Sequence, residues 1–516
     1  MGGLIRNTAL VGGMTLLSRI LGFVRDLALG RLFGAGVALD AFFVAFRIPN
    51  LLRRFFGEGA FSLAFVPVLS EYRVQRTPAE VRVLIARVFG TLAAVLAVLT
   101  LVGVLAAPLL MMLFGMGWYL DGDPQYPLAT SLLRIVFPYI LFISLVAFAA
   151  GILNTWGRFG LPAFAPVLLN LCLITAAYFW RGRPHALAWA VFAAGLLQLG
   201  LLLAALYRMR LLPWPVWGWG DPGVRRILGL MGPAILGSSV AQINLLFDSL
   251  IASFLVTGSV SWLYFADRLV EFPLGVFGVA LSTVILPSLS REHAAEDRAR
   301  FRSLLDQALR WVWLLGAPAT LGLLLLAGPI IVTLFQYDRF TPHQAAMVSL
   351  ALRAYALGLP AFLLVKVLAP GFYARQDTRT PVRVGMLAMG VNMGLNLVFV
   401  LSLVGIGFEG PHAGLALATA CSSWLNAALL YRRLRRAGVY APEPGWRGVW
   451  VRVCTGLAVM GAILATGPEP MEVWLHRSGG ERAFWLGAWV LAAAAAYLAI
   501  LRLLGVRLEL LWRRPE

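Results

Sequence analysis

Apolar residues fill this chain in long stretches, separated by short polar turns and punctuated by single charges. A helix needs about 20 mostly apolar residues to cross ~30 Å of hydrocarbon, and it satisfies its own backbone hydrogen bonds there. Fourteen such spans fit the pattern, at 4–30, 38–69, 82–113, 128–153, 160–180, 185–208, 226–256, 260–289, 303–335, 343–373, 380–403, 411–436, 446–467 and 482–505. No polar gap exceeds about 20 residues, so no separate soluble domain is expected. The pattern predicts an all-α integral membrane protein.

The pattern also repeats. SLAFVPVLSE at 62–71 closes the second span and STVILPSLSR at 282–291 closes the eighth, an offset of 220. Leu133, Arg134 and Pro162 in spans 4 and 5 match Leu352, Arg353 and Pro381 in spans 10 and 11 at an offset of 219. Copies six spans apart insert the same way round, which predicts a parallel repeat about an axis along the membrane normal, with a site where the lobes meet. The expected layout is an N-lobe over 1–210 (spans 1–6), a cytoplasmic linker over 211–225, a C-lobe over 226–437 (spans 7–12) and two extra spans within 446–516. The linker begins LLPWPVWGWG, and its indoles favour the headgroup layer; a packed loop is the competing reading.

Charge sharpens the topology. The 516 residues are 60% hydrophobic and 13% charged, with 43 Lys and Arg against 24 Asp and Glu. A formal charge of +19 would suit a polyanion partner if it were spread over one surface. With the N-terminus inside and the spans alternating, however, 28 basic residues fall on the cytoplasmic side and 6 on the other. Lys and Arg accumulate in cytoplasmic loops, so both termini are expected in the cytoplasm and no nucleic-acid partner is expected.

The remaining nine basic residues, Arg19, Arg25, Arg47, Arg53, Arg54, Arg134, Arg268, Arg353 and Lys366, lie at membrane depth. A charge at the bilayer centre costs roughly 2.5–3.5 kcal/mol on insertion scales, and such residues face a bundle interior or a watery cavity. Arginine stays protonated and offers a planar fork of donors suited to phosphate. The set predicts a cationic cavity for an anionic, phosphorylated substrate. Arg47, Arg134 and Arg353 fit equally as snorkelling or packing residues near span ends.

Ser18, Arg19 and Arg25 stand on span 1, with Gly22 between the arginines. On a straight helix the two arginines project about 120° apart, so reaching one cavity requires a bend or unwinding there. On span 2, Asp40, Arg47 and Arg54 share a face, Glu58 follows a turn later, and Asn50 and Arg53 line the adjacent stripe. Pro49 interrupts the hydrogen-bond ladder, which suits a bent helix. In the second lobe Arg268 stands between Asp267 and Glu271. A competing reading pairs each arginine with a neighbouring acid, Asp26, Asp40, Glu58, Asp267 or Glu271.

A second constellation is expected in the C-lobe. Asp248 on span 7, Asn392 and Asn396 at i and i+4 on span 11, and Thr419 on span 12 offer one carboxylate with several neutral oxygens, a set suited to a sodium ion. Asparagines in apolar spans also bond neighbouring helices, and Asp248 fits equally as a protonated acid or a partner of Lys366. No other cofactor is expected.

Enzyme chemistry finds little support. His185, His293, His343, His412 and His476 fall in loops or at span ends without an HExxH pattern, and the chain has no Walker A loop, GxSxG elbow or Cys/His cluster. Cys172, Cys421 and Cys454 fall in apolar spans as small hydrophobes. Arg19, Arg25 and Asp26 break any signal-peptide core, so no cleavable signal is expected. The expectation is a transporter driven by a gradient or the membrane potential.

The motifs SRILGFVRD (18–26), FGAG (33–36), DAFFVAF (40–46), PNLLRR (49–54), EGAFS (58–62), ADRL (266–269) and KVLAPGFY (366–373) together resemble the MurJ (MviN) family of lipid II flippases, within the multidrug/oligosaccharidyl-lipid/polysaccharide exporter superfamily. The resemblance runs over the whole chain. It implies carriage of undecaprenyl-diphosphate-linked disaccharide-pentapeptide from the inner to the outer leaflet of the bacterial cytoplasmic membrane, for peptidoglycan synthesis. It implies Arg19, Arg25, Arg53 and Arg268 as a diphosphate-binding set, with Asp40 and Glu58 as functional acids. It further implies a groove for the lipid tail on the last two spans, and membrane lipids and the cell-wall synthesis machinery as partners. Within the superfamily the alternatives are a cation-coupled multidrug exporter, whose cavity should be acidic or apolar, and an exporter of another polyprenyl-diphosphate oligosaccharide.

Overall fold

The computed structural model describes residues 2–53, 60–212, 214–466 and 471–506, and every regular element among them is helical. Contacts divide the chain into two compact units, Met1–Ser261 with Tyr337–Phe340, and Trp262–Gln336 with Thr341–Glu516.

The first unit holds α1 (Gly2–Phe33), α2 (Val37–Arg53), α3 (Ala60–Gln75), α4 (Pro78–Leu105), α5 (Ala107–Phe114), α6 (Met116–Leu120), α7 (Gln125–Val136), α8 (Tyr139–Thr155), α9 (Gly160–Phe179), α10 (Pro184–Arg208) and α11 (Pro222–Ala252). α4 starts on a capping box, Thr77 with Glu80, and Pro78 occupies the first turn, where its missing N–H costs nothing. α11 starts on Asp221, whose carboxylate accepts from the Gly223 and Val224 amides. Phe61, Phe65 and Phe148 pack α3 on α8, with the Phe61–Phe65 and Phe65–Phe148 ring centroids each 5.1 Å apart. α1 lies along α9, and α9 along α10.

The second unit holds most of α12 (Ser259–Pro273), a π-helical turn at Leu274–Gly278, α13 (Val279–Ala294), α14 (Arg298–Phe335), α15 (Pro342–Ala356), α16 (Leu359–Tyr373), α17 (Arg379–Gly405), α18 (Ala413–Arg436), α19 (Trp446–Thr466), α20 (Met471–His476) and α21 (Gly479–Leu503). Here α14, α19 and α21 share a core of Leu314, Leu326, Val453, Met460, Leu464 and Tyr497. The Tyr497 hydroxyl donates to the Leu314 carbonyl at 2.9 Å, the partner that a buried phenol needs. Arg482 is 5% exposed and donates to the carbonyls of Trp474, Leu475, Val332 and Gln336, serving the ends of α14 and α20 together.

Among the described residues ten helical stretches are long and apolar enough to cross a membrane, with α7–α8 and α15–α16 each counting as one. The predicted spans outside that set are 1, 2, 7 and 8, which correspond to α1, α2 with α3, α11, and α12 with α13. α2, α3, α12 and α13 are only 17, 16, 15 and 16 residues long, and these four spans carry Arg19, Arg25, Asp40, Arg47, Arg53, Asp248 and Arg268.

The unit boundary differs from the expected one. Packing divides the chain at Ser261 rather than in the linker, because α11 lies against α3 and Arg226 pairs with Glu71 at 2.9 Å. Cys172, Cys421 and Cys454 are free thiols.

Candidate functional site

α1 is a continuous helix through Gly22, with no unwinding between Arg19 and Arg25. The two arginines consequently meet different surroundings. The Arg25 side chain is only 12% exposed, and its Nε and Nη2 donate to Asp26 Oδ1 at 2.9 and 2.7 Å. Arg25 Nη1 donates to Asn170 Oδ1 of α9 at 3.0 Å, while Asn170 Nδ2 donates to the Ser18 carbonyl at 3.0 Å. One carboxamide thus braces a full turn of α1 on either side of Gly22. Arg19 is exposed and, among the described residues, has neither an ion pair nor a side-chain hydrogen bond.

α2 runs past Pro49 to Arg53. Arg53 Nε donates to Asn50 Oδ1 at 2.9 Å, and Arg47 Nη1 donates to Ser249 Oγ of α11. Arg54 and Glu58 lie outside the described residues.

Asp40, in the first turn of α2, is 1% exposed. Its carboxylate accepts from the Gly258 amide at 2.6 Å, the Ser261 amide at 2.8 Å and the Ser261 hydroxyl at 2.5 Å. Gly258 immediately precedes α12, sits at φ +104° and has no side chain with which to cap the helix. Asp40 supplies that cap from another helix, and the positive end of the α12 dipole offsets its charge.

Along α12, in the second unit, Arg268 Nη1 donates to Glu271 Oε2 at 2.6 Å and the guanidinium lies 5.1 Å from the Tyr264 ring centroid. Both partners of that pair are open to solvent, 39% and 52% exposed, so the pair is of the weakly held kind. Asp267 is exposed. Ser18, Arg19, Arg25, Asp40, Asn50 and Arg53 thus belong to the first unit and Arg268 to the second.

Of the expected cation set, three members come together. Asn392 Nδ2 donates to Thr419 Oγ1 at 3.3 Å and Ser422 Oγ at 3.1 Å, and Asn396 Nδ2 donates to Asn392 Oδ1 at 3.0 Å. Asn392 and Asn396 are both buried, 2% and 0% exposed. Asp248 falls in the first unit, where Asn244 Nδ2 donates to it at 3.3 Å, because α11 packs with that unit.

Arg134 and Arg353 are exposed in the last turns of α7 and α15, where a cation favours the helix dipole. Sequence reasoning missed Asn170, Ser249, Gly258 and Ser261. Asn170 alone carried a signal, as a single amide inside an apolar span; the others became partners only through folding.

The family model described as "Lipid II flippase MurJ" matches residues 29–478. A probable lipid II flippase MurJ of Vibrio cholerae is 48% identical, over 98% of this chain and 97% of its own length. A solved structure, "Lipid II flippase MurJ, inward closed conformation", superposes with a TM-score of 0.80 at 27% identity, covering 98% of this chain and all of that one. An inward-facing multidrug resistance transporter of the MATE family and MOP superfamily aligns with a TM-score of 0.65 at 13% identity, over 84% of this chain and 98% of that one, a likeness of fold.

Proposed function

The chain belongs to the MurJ family of lipid II flippases, and on that premise we propose how its residues carry the substrate. It is a membrane transporter and not an enzyme, and it flips lipid II across the bacterial inner membrane by alternating access. Arg19, Arg25, Arg53 and Arg268 hold the diphosphate, with Ser18, Asn50, Arg54, Asp40 and Glu58 contributing to the same cavity. The observation that carries this reading is Arg19, a guanidinium at membrane depth, exposed and without an acid among the described residues. Its charge awaits a counterion, and a diphosphate supplies one with oxygens that match its donor fork. Arg25 is already oriented by Asp26 and Asn170, so little side-chain freedom is lost when it binds.

The fourteen-span layout of two parallel six-helix lobes is part of the proposal. It is supported by Pro67 inside α3 and Pro287 inside α13, and by the interruptions that follow Arg134 and Arg353. α19 and α21 then provide a groove for the lipid tail, both termini are cytoplasmic, and the cell-wall synthesis machinery receives the exported precursor. Asp40 lies at the non-cytoplasmic end of α2, and opening there requires its three hydrogen bonds to break. A sodium ion on Asn392, Asn396 and Thr419, with Asp248 drawn in when it binds, biases the conformational equilibrium. Sodium should then raise the thermal midpoint of wild type and not of Asp248→Asn, and an equal response to potassium would remove the ion from the scheme.

The central test is an outer-leaflet lipid II assay on variants expressed as sole copy. Arg19→Ala, Arg25→Ala and Arg268→Ala should insert normally and lose flipping. Lysine replacements should recover little, because a point charge lacks the bidentate fork. Normal growth on any of the alanine variants would remove that residue from the diphosphate set.

A further inference from the structure

The segment between α10 and α11 is built as a fixed strap rather than a tether. The Val216 amide donates to the Ala86 carbonyl at 3.2 Å and the Gly218 amide to Thr91 Oγ1 at 3.0 Å, fastening the strap along α4. It seats in a notch made by Gly90, where a Cβ would come within 2.3 Å of the Val216 carbonyl oxygen. Gly218 is buried as tightly, since a Cβ there would lie 2.5 Å from Arg87 Cβ. At the far end Arg87 pairs with Asp221, which caps α11.

The outer face of this strap has the opposite character. Trp214, Trp217 and Trp219 are 84%, 62% and 48% exposed, and the Trp217 and Trp219 rings stack at 6.0 Å. Indoles left in water are unusual on a segment held this firmly, and three of them in six residues form an apolar patch with polar N–H edges. Tyr207, in the last turn of α10, is also 70% exposed. Arg208 and Arg210 flank the patch, and Arg82 projects from α4 a turn before the Val216 attachment. All three are exposed and without an acid partner among the described residues.

We propose that the strap is a membrane-interface anchor, its three indoles seated in the headgroup layer beside the first unit and Arg82, Arg208 and Arg210 holding anionic phospholipid headgroups. The physical fit is twofold. Amphipathic rings favour the headgroup depth, and arginines there gain from the negative potential of the cytoplasmic leaflet. Because the strap grips α4 and caps α11, the anchor fixes the depth of both helices while other parts move. The inference uses the membrane-spanning reading of α4 and α10 and is independent of the residues assigned to the substrate.

The test uses the full-length chain in lipid nanodiscs, with Cys172, Cys421 and Cys454 changed to serine and a nitroxide on Trp214→Cys. Power saturation should show an oxygen-to-nickel-complex accessibility ratio several-fold higher than that of a free nitroxide in the surrounding water. A ratio equal to that of the free nitroxide would place the strap in water and overturn the anchor. Adding phosphatidylglycerol to phosphatidylcholine discs should raise the thermal midpoint, and Arg208→Gln with Arg210→Gln should abolish the rise. A rise that survives both changes, or no rise in the unmodified chain, would overturn the anionic-lipid assignment. A flipping assay on the same variants keeps this result separate from the diphosphate reading.

Discussion

Asp40 and Asp306 are both buried, 1% and 0% exposed, yet they solve the cost of burial with different partners. Asp306 of α14 accepts from Arg310 Nε at 2.7 Å, the Tyr440 hydroxyl at 2.6 Å, Trp446 Nε1 at 2.8 Å and the Glu443 amide at 3.3 Å. It has a full countercharge one turn away, and that arginine reaches on to the Pro444 carbonyl at 2.8 Å. The result fastens the α18–α19 connection to α14, and burial together with Asp306 pushes the Tyr440 phenol well above its ordinary pKa. Asp40 instead draws all three of its hydrogen bonds from one helix start. A helix N-terminus carries only a fractional positive charge, and its amides are readily satisfied by water once released. A buried carboxylate with a guanidinium partner suits a permanent joint, and one on a helix cap suits a joint that opens.

The largest expected effect of breaking this contrast is at Asp306. Asp306→Ala strands Arg310 and three further donors, a loss of about 3–5 kcal/mol by the rule for broken buried pairs. The thermal midpoint should fall and the 437–446 segment should become a site of proteolysis, with Asp306→Asn in between. A midpoint unchanged in Asp306→Ala would mean that the joint is not a structural one.

Next in size is Asp40. Asp40→Ala should cost about 1–2 kcal/mol, as for loss of a helix cap, which is smaller than the loss at Asp306. Its effect on flipping should nevertheless exceed that of Asp306→Asn, since it removes a joint that the transport cycle uses. Asp40→Asn keeps one capping oxygen for Ser261 but sets its NH2 against the Gly258 amide, so its stability should fall between wild type and Asp40→Ala. If Asp40→Ala flips normally in the outer-leaflet assay, the cap is structural and the contrast fails.

The two carboxylates also mark what the sequence made legible. Asp306 has one partner visible in the sequence, Arg310 at i+4, but Tyr440, Glu443 and Trp446 lie 134, 137 and 140 positions away. Asp40 was recognised as important, but its partners Gly258 and Ser261 lie more than two hundred positions away and carry no charge of their own. Hydropathy revealed the helices because lipid imposes one simple requirement on them all. It gave no access to Arg482, whose partners are backbone carbonyls. Nor did it reveal that Asn170, some 150 positions away, would brace α1 on both sides of Gly22.

The smallest expected effect concerns a third carboxylate, Asp221, which combines both designs by capping α11 and pairing with Arg87. Burial pushes its carboxyl up, but the Arg87 hydrogen bond and the Val224 and Gly223 amides outweigh that and hold it below the usual carboxylate range. A folded-state pKa lower than the unfolded one contributes stability that is present above the unfolded value, about 3.9. That stability is lost as the pH falls through the folded value. An exposed ion pair and a cap together are worth about 1 kcal/mol, so the signal is modest. The wild type should therefore melt above Asp221→Asn by a constant margin from neutral pH to about 5. The margin should shrink on further acidification, and high salt should narrow it at neutral pH. A margin that persists undiminished into strong acid would show that the carboxylate's charge contributes nothing, leaving only the shape of the cap to hold the start of α11.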